Sequence, residues 1–282
     1  MVNDSMPGCN FPISAMIVGF NEAHFLKDCL SSVSFCDEIY YTDLGSSDNS
    51  LQIAGSFGAI IQHHSMVPSC EMVQTKVVSQ IKNDWVIFID PDERVDPLLA
   101  EEIKKNFESY LKDDKLGAVM VPWVFYFKKH RLKGTVWGGT NEKYFLVNKK
   151  RFEFEPVVHY GRKILPGFHT IHIDADGGKR VLHHYWMNSY RIFFRKHFRY
   201  LKNEGIDRYN YGVRQSIRGL CTKPFKAFNE SFFVKKGYKD FHIGLFLSAF
   251  WAFYETWIAF DLVRIQRKKK KQSKNLEGPA KP

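Results

Sequence analysis

Short apolar runs punctuate the first third of the chain, and each stops abruptly in polar residues. ISAMIVGF (13–20), DEIYYTD (37–43), GAIIQH (58–63) and WVIFID (85–90) read as strands. Nearly continuous hydrophobicity, in place of strict alternation, marks strands covered on both faces. Between these runs the apolar positions recur at helical spacing, in EAHFLKDCLSSV (22–33), Leu51–Ser56 and residues 71–83. Asp96 and Pro97 supply an N-cap and a first-turn residue for a helix over LLAEEIKKNFESYL (98–111). This order predicts an α/β domain with a mixed, mostly parallel sheet flanked by helices.

The pattern changes in the second half. GAVMVPWVFYFKKHRLKG (117–134) reads as strand and connection, and EKYFLVNKKRFEFEP (142–156) as a strand running into a polar turn. TIHIDADGGKRVLHHYW (170–186) alternates on both sides of Asp176-Gly177-Gly178, which predicts a hairpin. Beyond residue 186 the chain turns helical, aromatic and basic. One helical stripe carries Trp186, Tyr190, Phe193, Phe194, His197, Phe198 and Leu201, flanked by Arg191, Arg195, Arg199 and Lys202. IGLFLSAFWAFY (243–254) is uncharged and apolar, but it is shorter than the ~20 residues a spanning helix requires. It reads as an interfacial helix. The expected organisation is an α/β domain over 12–183, a helical extension over 184–263 and a disordered polybasic tail over 264–282.

Composition changes this picture in two places. The chain is 44% hydrophobic and 16% aromatic, ample for a core, and its formal charge is +11. From Arg264 onward eight Lys or Arg face only Glu277, so +7 belongs to the tail and +4 to everything before it. A terminal basic patch suits an anionic membrane surface. No nucleic-acid motif accompanies it, and nucleic acid is not an expected partner. The start of the sequence, MVNDSMPGCNF, lacks the basic flank and apolar stretch of a secretory signal. Five scattered cysteines without a CxxC pair exclude zinc-ligand spacing and predict free thiols in a reducing cytosol. Neither a GxGxxG after the first strand nor a P-loop is present.

Candidate chemistry collects at the carboxyl ends of the predicted strands, where open α/β sheets bind ligands. Asn21 and Glu22 end the first strand, Asp43 the second, and Asp90-Pro91-Asp92-Glu93 the fourth. Carboxylates are costly to desolvate, so this group either faces water or holds a cation. Pro91 stops the strand, which lets Asp90 and Asp92 turn toward one site.

GFNEAHFLKDCLSSVSFCDEIYYTDLGSSDNSLQIA followed by DWVIFIDPDER resembles the family 2 glycosyltransferases with the GT-A fold, and is similar to their bacterial branch that builds lipopolysaccharide core and related surface glycans. The resemblance extends from about Ile13 to Tyr254. It implies a nucleotide-diphosphosugar fold with a C-terminal helical extension. It implies nucleotide contacts from Phe20, Asn21, Glu22, Asp43 and Asp90, with Asp92 on the metal. Gln74 and Lys76 match nucleotide-facing positions only loosely, and Asp48 reads as a helix cap. Glu142, three residues beyond Gly139, stands where relatives carry the general base, although they often show Tyr-Pro-Asp in place of Thr140-Asn141-Glu142; Glu153 and Glu155 are the fallbacks. VLHHYW and KHFRY imply His184 as a further metal ligand, with Lys196 and Arg199 on the diphosphate. The expectation is therefore a metal-dependent inverting transferase using Mn²⁺ or Mg²⁺. It takes a UDP-sugar donor and a glycan or glycolipid acceptor, on the cytoplasmic face of a membrane. Two rival readings are a polyprenyl-phosphate glycosyltransferase and a non-catalytic α/β module that binds anionic membrane or nucleic acid through its basic tail.

Overall fold

The computed structural model describes residues 11–67, 70–154 and 162–276. They form two compact units, one reaching Val124 and joined by Thr140–Tyr185, the other comprising Phe125–Gly139 and everything from Trp186. The sequence places its boundary at 183/184, whereas here the first unit ends at Tyr185 and residues 125–139 belong to the second.

The first unit opens with strand β1 (Phe11–Gly19), helix α1 (Ala23–Ser32), β2 (Cys36–Asp43), α2 (Ser50–Ser56), β3 (Ile60–His63), α3 (Glu71–Val77) and β4 (Trp85–Phe88). It continues through β5 (Glu93–Val95), α4 (Pro97–Lys112) and β6 (Leu116–Phe127). A two-residue β7 (His130–Arg131) belongs to the second unit and pairs antiparallel with the end of β6. Then follow β8 (Asn141–Asn148), β9 (Phe152–Phe154), β10 (Arg162–Ile164), β11 (His169–His172) and β12 (Leu182–Met187).

The main sheet runs β3-β2-β1-β4-β8-β6-β12-β5, with β11 beside β6, and β9 pairs β10 separately. β1 lies parallel to both β2 and β4, and β2 is parallel to β3. β8 runs antiparallel to β4 and β6. The mixed sheet expected from the pattern is present, with its first four strands, β3-β2-β1-β4, parallel. Its pleat explains the unbroken apolar runs. Ile13, Ala15 and Ile17 of β1 join Trp85 and Ile87 of β4 in a core on one face, with α1 and α4. Met16, Val18, Val86 and Phe88 join Val73 and Val77 of α3 on the other. Because Gly19 pairs Asp43 and Met16 pairs Phe88, the chain leaves β1, β2 and β4 at one common edge.

Two local expectations change. The helix over 71–83 ends at Val77 and closes with a 3₁₀ turn, Val78–Gln80. The hairpin at 176–178 is absent: left-handed Asp176, Gly177 and Gly178 make a 3₁₀ turn, and β11 pairs parallel with β6. The DGG signal encoded the reversal but not the partner.

The second unit contains α5 (Tyr190–Leu201), α6 (Glu204–Asn210), α7 (Ile217–Asn229) and α8 (Phe241–Leu276). Ser189 caps α5 through Ile192 N–H. Part of the aromatic stripe of α5 turns inward: Phe193, His197 and Leu201 are buried, with Phe193 packed on Phe250 at 4.6 Å between ring centroids, whereas Phe198 is exposed. α8 runs as one 36-residue helix, so the segment 243–254 is not a separate short helix, and the helix continues into the stretch expected to be a disordered tail. Leu247, Phe250, Tyr254, Ile258 and Leu262 form its buried stripe at helical spacing. By length and composition alone it could cross a membrane, but 44% of its apolar window is buried inside the protein. Glu255, which interrupts the apolar run, is buried against Arg208 at 2.8 Å and Lys223 at 2.6 Å. Those partners hold its carboxyl below the usual range despite its burial.

Candidate active site

The edge where β1, β2 and β4 end is built by side chains that close its loops. Asn21 adopts a left-handed backbone (φ 56°), tolerated by a short polar side chain. Its N–H donates to Ser46 Oγ at 2.9 Å, and its Oδ1 accepts from Ser47 N–H at 2.8 Å. Glu22 N–H donates to Ser50 Oγ at 3.0 Å. Asp48, expected to cap the helix after it, accepts from Ala23 N–H and Ser50 N–H, each at 3.0 Å, and so joins the loop after β2 to the start of α1. Asp43 is buried, and its carboxylate accepts from the N–H groups of Gly45 and Ser46 at 3.0 Å. Phe20 is exposed at this rim. Gln74 is buried within α3, whereas Lys76 is exposed.

Asp90-Pro91-Asp92-Glu93 is tightly organised. Glu93 N–H donates to Asp90 O, and Asp90 N–H donates back to Glu93 Oε2, both at 2.9 Å. Glu93 is fully buried beside Lys143 of β8, whose Nζ is 2.5 Å from Glu93 Oε2 and 3.4 Å from Asp90 Oδ2. Burial pushes the Glu93 carboxyl up, and the Lys143 ammonium opposes that rise. Among the described residues Glu93 Oε1 has no hydrogen-bond partner. Lys143 also lies 5.1 Å from the centroid of the Trp123 ring, which stacks on His184 at 5.1 Å with a 6° interplanar angle.

β12 completes the cluster. It pairs antiparallel with β5, placing His184 opposite Glu93. His184 Nε2 is 3.3 Å from Asp92 Oδ2, and Tyr185 N–H donates to Asp92 O at 2.8 Å. The pleat turns His183 the other way, onto Asp96 at 3.2 Å. Sequence reasoning put His184 and Asp92 on one ion and placed Glu93 in the acidic group; it missed the burial of Glu93 and the roles of Lys143 and Trp123. The conversion of an apolar strand into one bearing Lys143 was the available signal for the lysine.

Among the described residues no group of three or more His, Cys, Asp or Glu side chains gathers as a metal cage. Asp92 and His184 still fit Mn²⁺ or Mg²⁺, because one carboxylate and one imidazole suffice when diphosphate and water complete the shell.

Glu142 is not brought to this cluster. Adjacent residues of a strand point to opposite faces, and Lys143 is the one that points to Asp90 and Glu93. Glu142 instead meets His172 Nδ1 at 2.7 Å. A base must reach the acceptor hydroxyl beside the donor sugar. Alternation along β8 places the Glu142 side chain opposite that of Lys143. Glu153 lies on β9 in the separate two-stranded sheet, and Glu155 lies outside the described residues. Lys196 and Arg199 stand on α5 of the second unit, Arg199 exposed with its guanidinium 5.4 Å from the Tyr200 ring centroid.

The profile of Glycosyl transferase family 2 matches residues 14–174, more than half of the chain. The chain belongs to that family. The matched segment spans β1 to β11 and includes every strand end described above except the one bearing His184. An "Uncharacterized glycosyltransferase" of Rickettsia bellii is 25% identical over 79% of this chain and 76% of its own length. One of Rickettsia felis is 27% identical over 79% and 80%. Among solved structures, glucosyl-3-phosphoglycerate synthase from Mycobacterium tuberculosis in complex with Mg²⁺ and UDP is similar at 21% identity and a TM-score of 0.33, over 40% of this chain and 43% of its own. By its family match and its sheet topology this family 2 glycosyltransferase has a GT-A-like α/β fold, with its acidic residues at the carboxyl edge of the parallel strands.

Proposed function

We propose that this glycosyltransferase is metal-dependent and inverting, and that it moves a sugar from a UDP-sugar to a membrane-associated glycan, either lipopolysaccharide core or another surface glycan. The reading is carried by the convergence of Asp90, Asp92 and His184 beside the strand ends bearing Asn21 and Asp43. Asp92 and His184 would hold Mn²⁺ or Mg²⁺. Such an ion neutralises a diphosphate and the charge that grows on it as it leaves. Asp90, held by its bonds to Glu93 and by Lys143, would contact the nucleotide. Asp43 shapes the nucleotide loop through Gly45 and Ser46.

The test is a screen of UDP-sugars for UDP release by the full chain, with Mn²⁺, Mg²⁺ or excess EDTA. Release with at least one donor, abolished by EDTA and by Asp92→Ala, is expected. Undiminished release in EDTA overturns the metal role; failure of UDP to bind in calorimetry overturns the donor class.

A further inference from the structure

The connection between α7 and α8 presents an unusual surface. Val234 and Phe241 are 63% and 78% exposed, and Phe233, Tyr238 and Leu245 are exposed with them. The half-buried Phe232 ring links the patch, lying 5.1 Å from Phe233 and 6.3 Å from Tyr238. Lys235, Lys236 and Lys239 are interleaved and exposed. Scattered apolar residues on a surface require no explanation, but here the Phe232, Phe233 and Tyr238 rings are in contact with lysines interleaved, and an exposed apolar group rimmed by charge marks an interaction site.

This turn is also held in shape at a cost. Lys236 (φ 58°) and Phe241 (φ 49°) are left-handed, and so is the β-branched Thr135 beneath them (φ 71°). Such backbones are strained and persist only where their surroundings over-determine them. Here the surroundings do. The buried Asp240 carboxylate accepts from Lys133 N–H at 2.9 Å, Gly134 N–H at 2.7 Å and His130 Nε2 at 2.9 Å. Thr135 N–H donates to Lys235 O at 3.1 Å, and Ser231 and Ser248 hydroxyls bond at 2.9 Å in the interior. Backbones approach so closely that a Cβ on Gly134 would meet Lys236 O, and one on Gly237 would meet Ser231 O at 2.8 Å. A collapsing turn would bury its aromatics. This one is braced to keep them outside.

We infer that residues 232–245 form a preorganised membrane-docking tip that inserts Phe233, Val234 and Phe241 into the headgroup boundary of an anionic bilayer while Lys235, Lys236 and Lys239 meet lipid phosphates. Charge complementarity selects the occupant. The three lysines of the turn stand against Glu230 alone, because Asp240 is buried and already paired. Aromatic and aliphatic side chains supply the salt-resistant share of binding, and the lysines add an attraction to an anionic surface that salt screens. The inference rests on the membrane-associated acceptor of the proposed function and locates the contact in this turn, away from the basic end of α8.

Hydrogen exchange on the wild-type full chain tests it without a mutation: vesicles containing phosphatidylglycerol should protect peptides covering 230–245, and phosphatidylcholine vesicles should protect them far less. In co-sedimentation, Phe233→Ser with Phe241→Ser should lower partitioning at high salt at least tenfold. Lys235→Glu with Lys236→Glu and Lys239→Glu should remove the preference for anionic vesicles. Metal-dependent UDP release from a soluble donor, unchanged in both variants, separates failure of the tip from failure of the catalytic reading. Unprotected 230–245 peptides on bound protein overturn the inference, as does a concentration-dependent dimer in sedimentation velocity that buries the same peptides without lipid.

Discussion

Lys143 sits where a carboxylate cluster would otherwise repel itself, and its loss reveals what it does. A buried ion pair broken on one side leaves an uncompensated charge, which costs about 3–5 kcal/mol. Lys143→Met should therefore destabilise the first unit by about that amount in urea unfolding. Glu93→Gln combined with Lys143→Met should recover much of it, because no charge is then stranded. Equal losses in the single and double variants would show that Lys143 acts by packing on Trp123. Glu142 offers the opposite case. Its side chain lies opposite that of Lys143, with His172, so Glu142→Gln should leave transfer within several-fold of wild type, against the 10²- to 10⁴-fold loss typical of a removed general base. Single-turnover rates with a saturating UDP-sugar would decide.

The helices place the site by their ends. Asp96 accepts from Leu98 N–H at 2.9 Å, Pro97 holds the first helical position, and α4 begins there as the sequence requires. The same carboxylate meets His183, the neighbour of His184 on β12. Removing an N-cap costs about 1 kcal/mol. Asp96→Ala should cost at least that in denaturant midpoint and should also loosen β12, raising the Mn²⁺ concentration needed for half-maximal UDP binding. Asp96→Asn retains the cap and should restore most of both. If Asp96→Ala changes stability alone, the link from α4 through His183 to the site fails.

At the scale of the whole molecule, the second unit carries its own response to acid. His197 lies among the rings of Trp137, Trp186, Phe193 and Phe250, with its Nδ1–H donating to Phe193 O at 2.8 Å. Burial lowers its pKa from 6.5 to about 4. Above about 6.5 the ring is neutral whether folded or unfolded. As pH falls below that, the unfolded chain takes up the proton first, so stability declines until about pH 4 and then levels off. The full difference corresponds to about 3 kcal/mol at 1.36 kcal/mol per pKa unit. Calorimetry between pH 7 and 4 should show this loss in the transition of the second unit, and His197→Phe should flatten it. An equal slope in the variant would assign the acid sensitivity elsewhere.

Much of the α/β unit was legible in the residues. Strand runs, the Asp96-Pro97 helix start and acidic residues at successive strand ends are local features, and parallel direction carries those ends to one edge. The pairing of His184 with Asp92 was legible too, through resemblance. Other features were not local. Whether Glu142 or Lys143 faces the cluster depends on the phase of the pleat in β8, which its neighbours β4 and β6 set. The burial of Glu93 requires a lysine 50 positions away. Residues 125–139 leave the first unit because Asp240, more than 100 positions on, binds their backbone. The apolar stripe of α5 reads equally well as a lipid face or a core face, and only the packing of α8 against it decided for the core. Periodicity records that a face is covered; what covers it is a property of the folded chain.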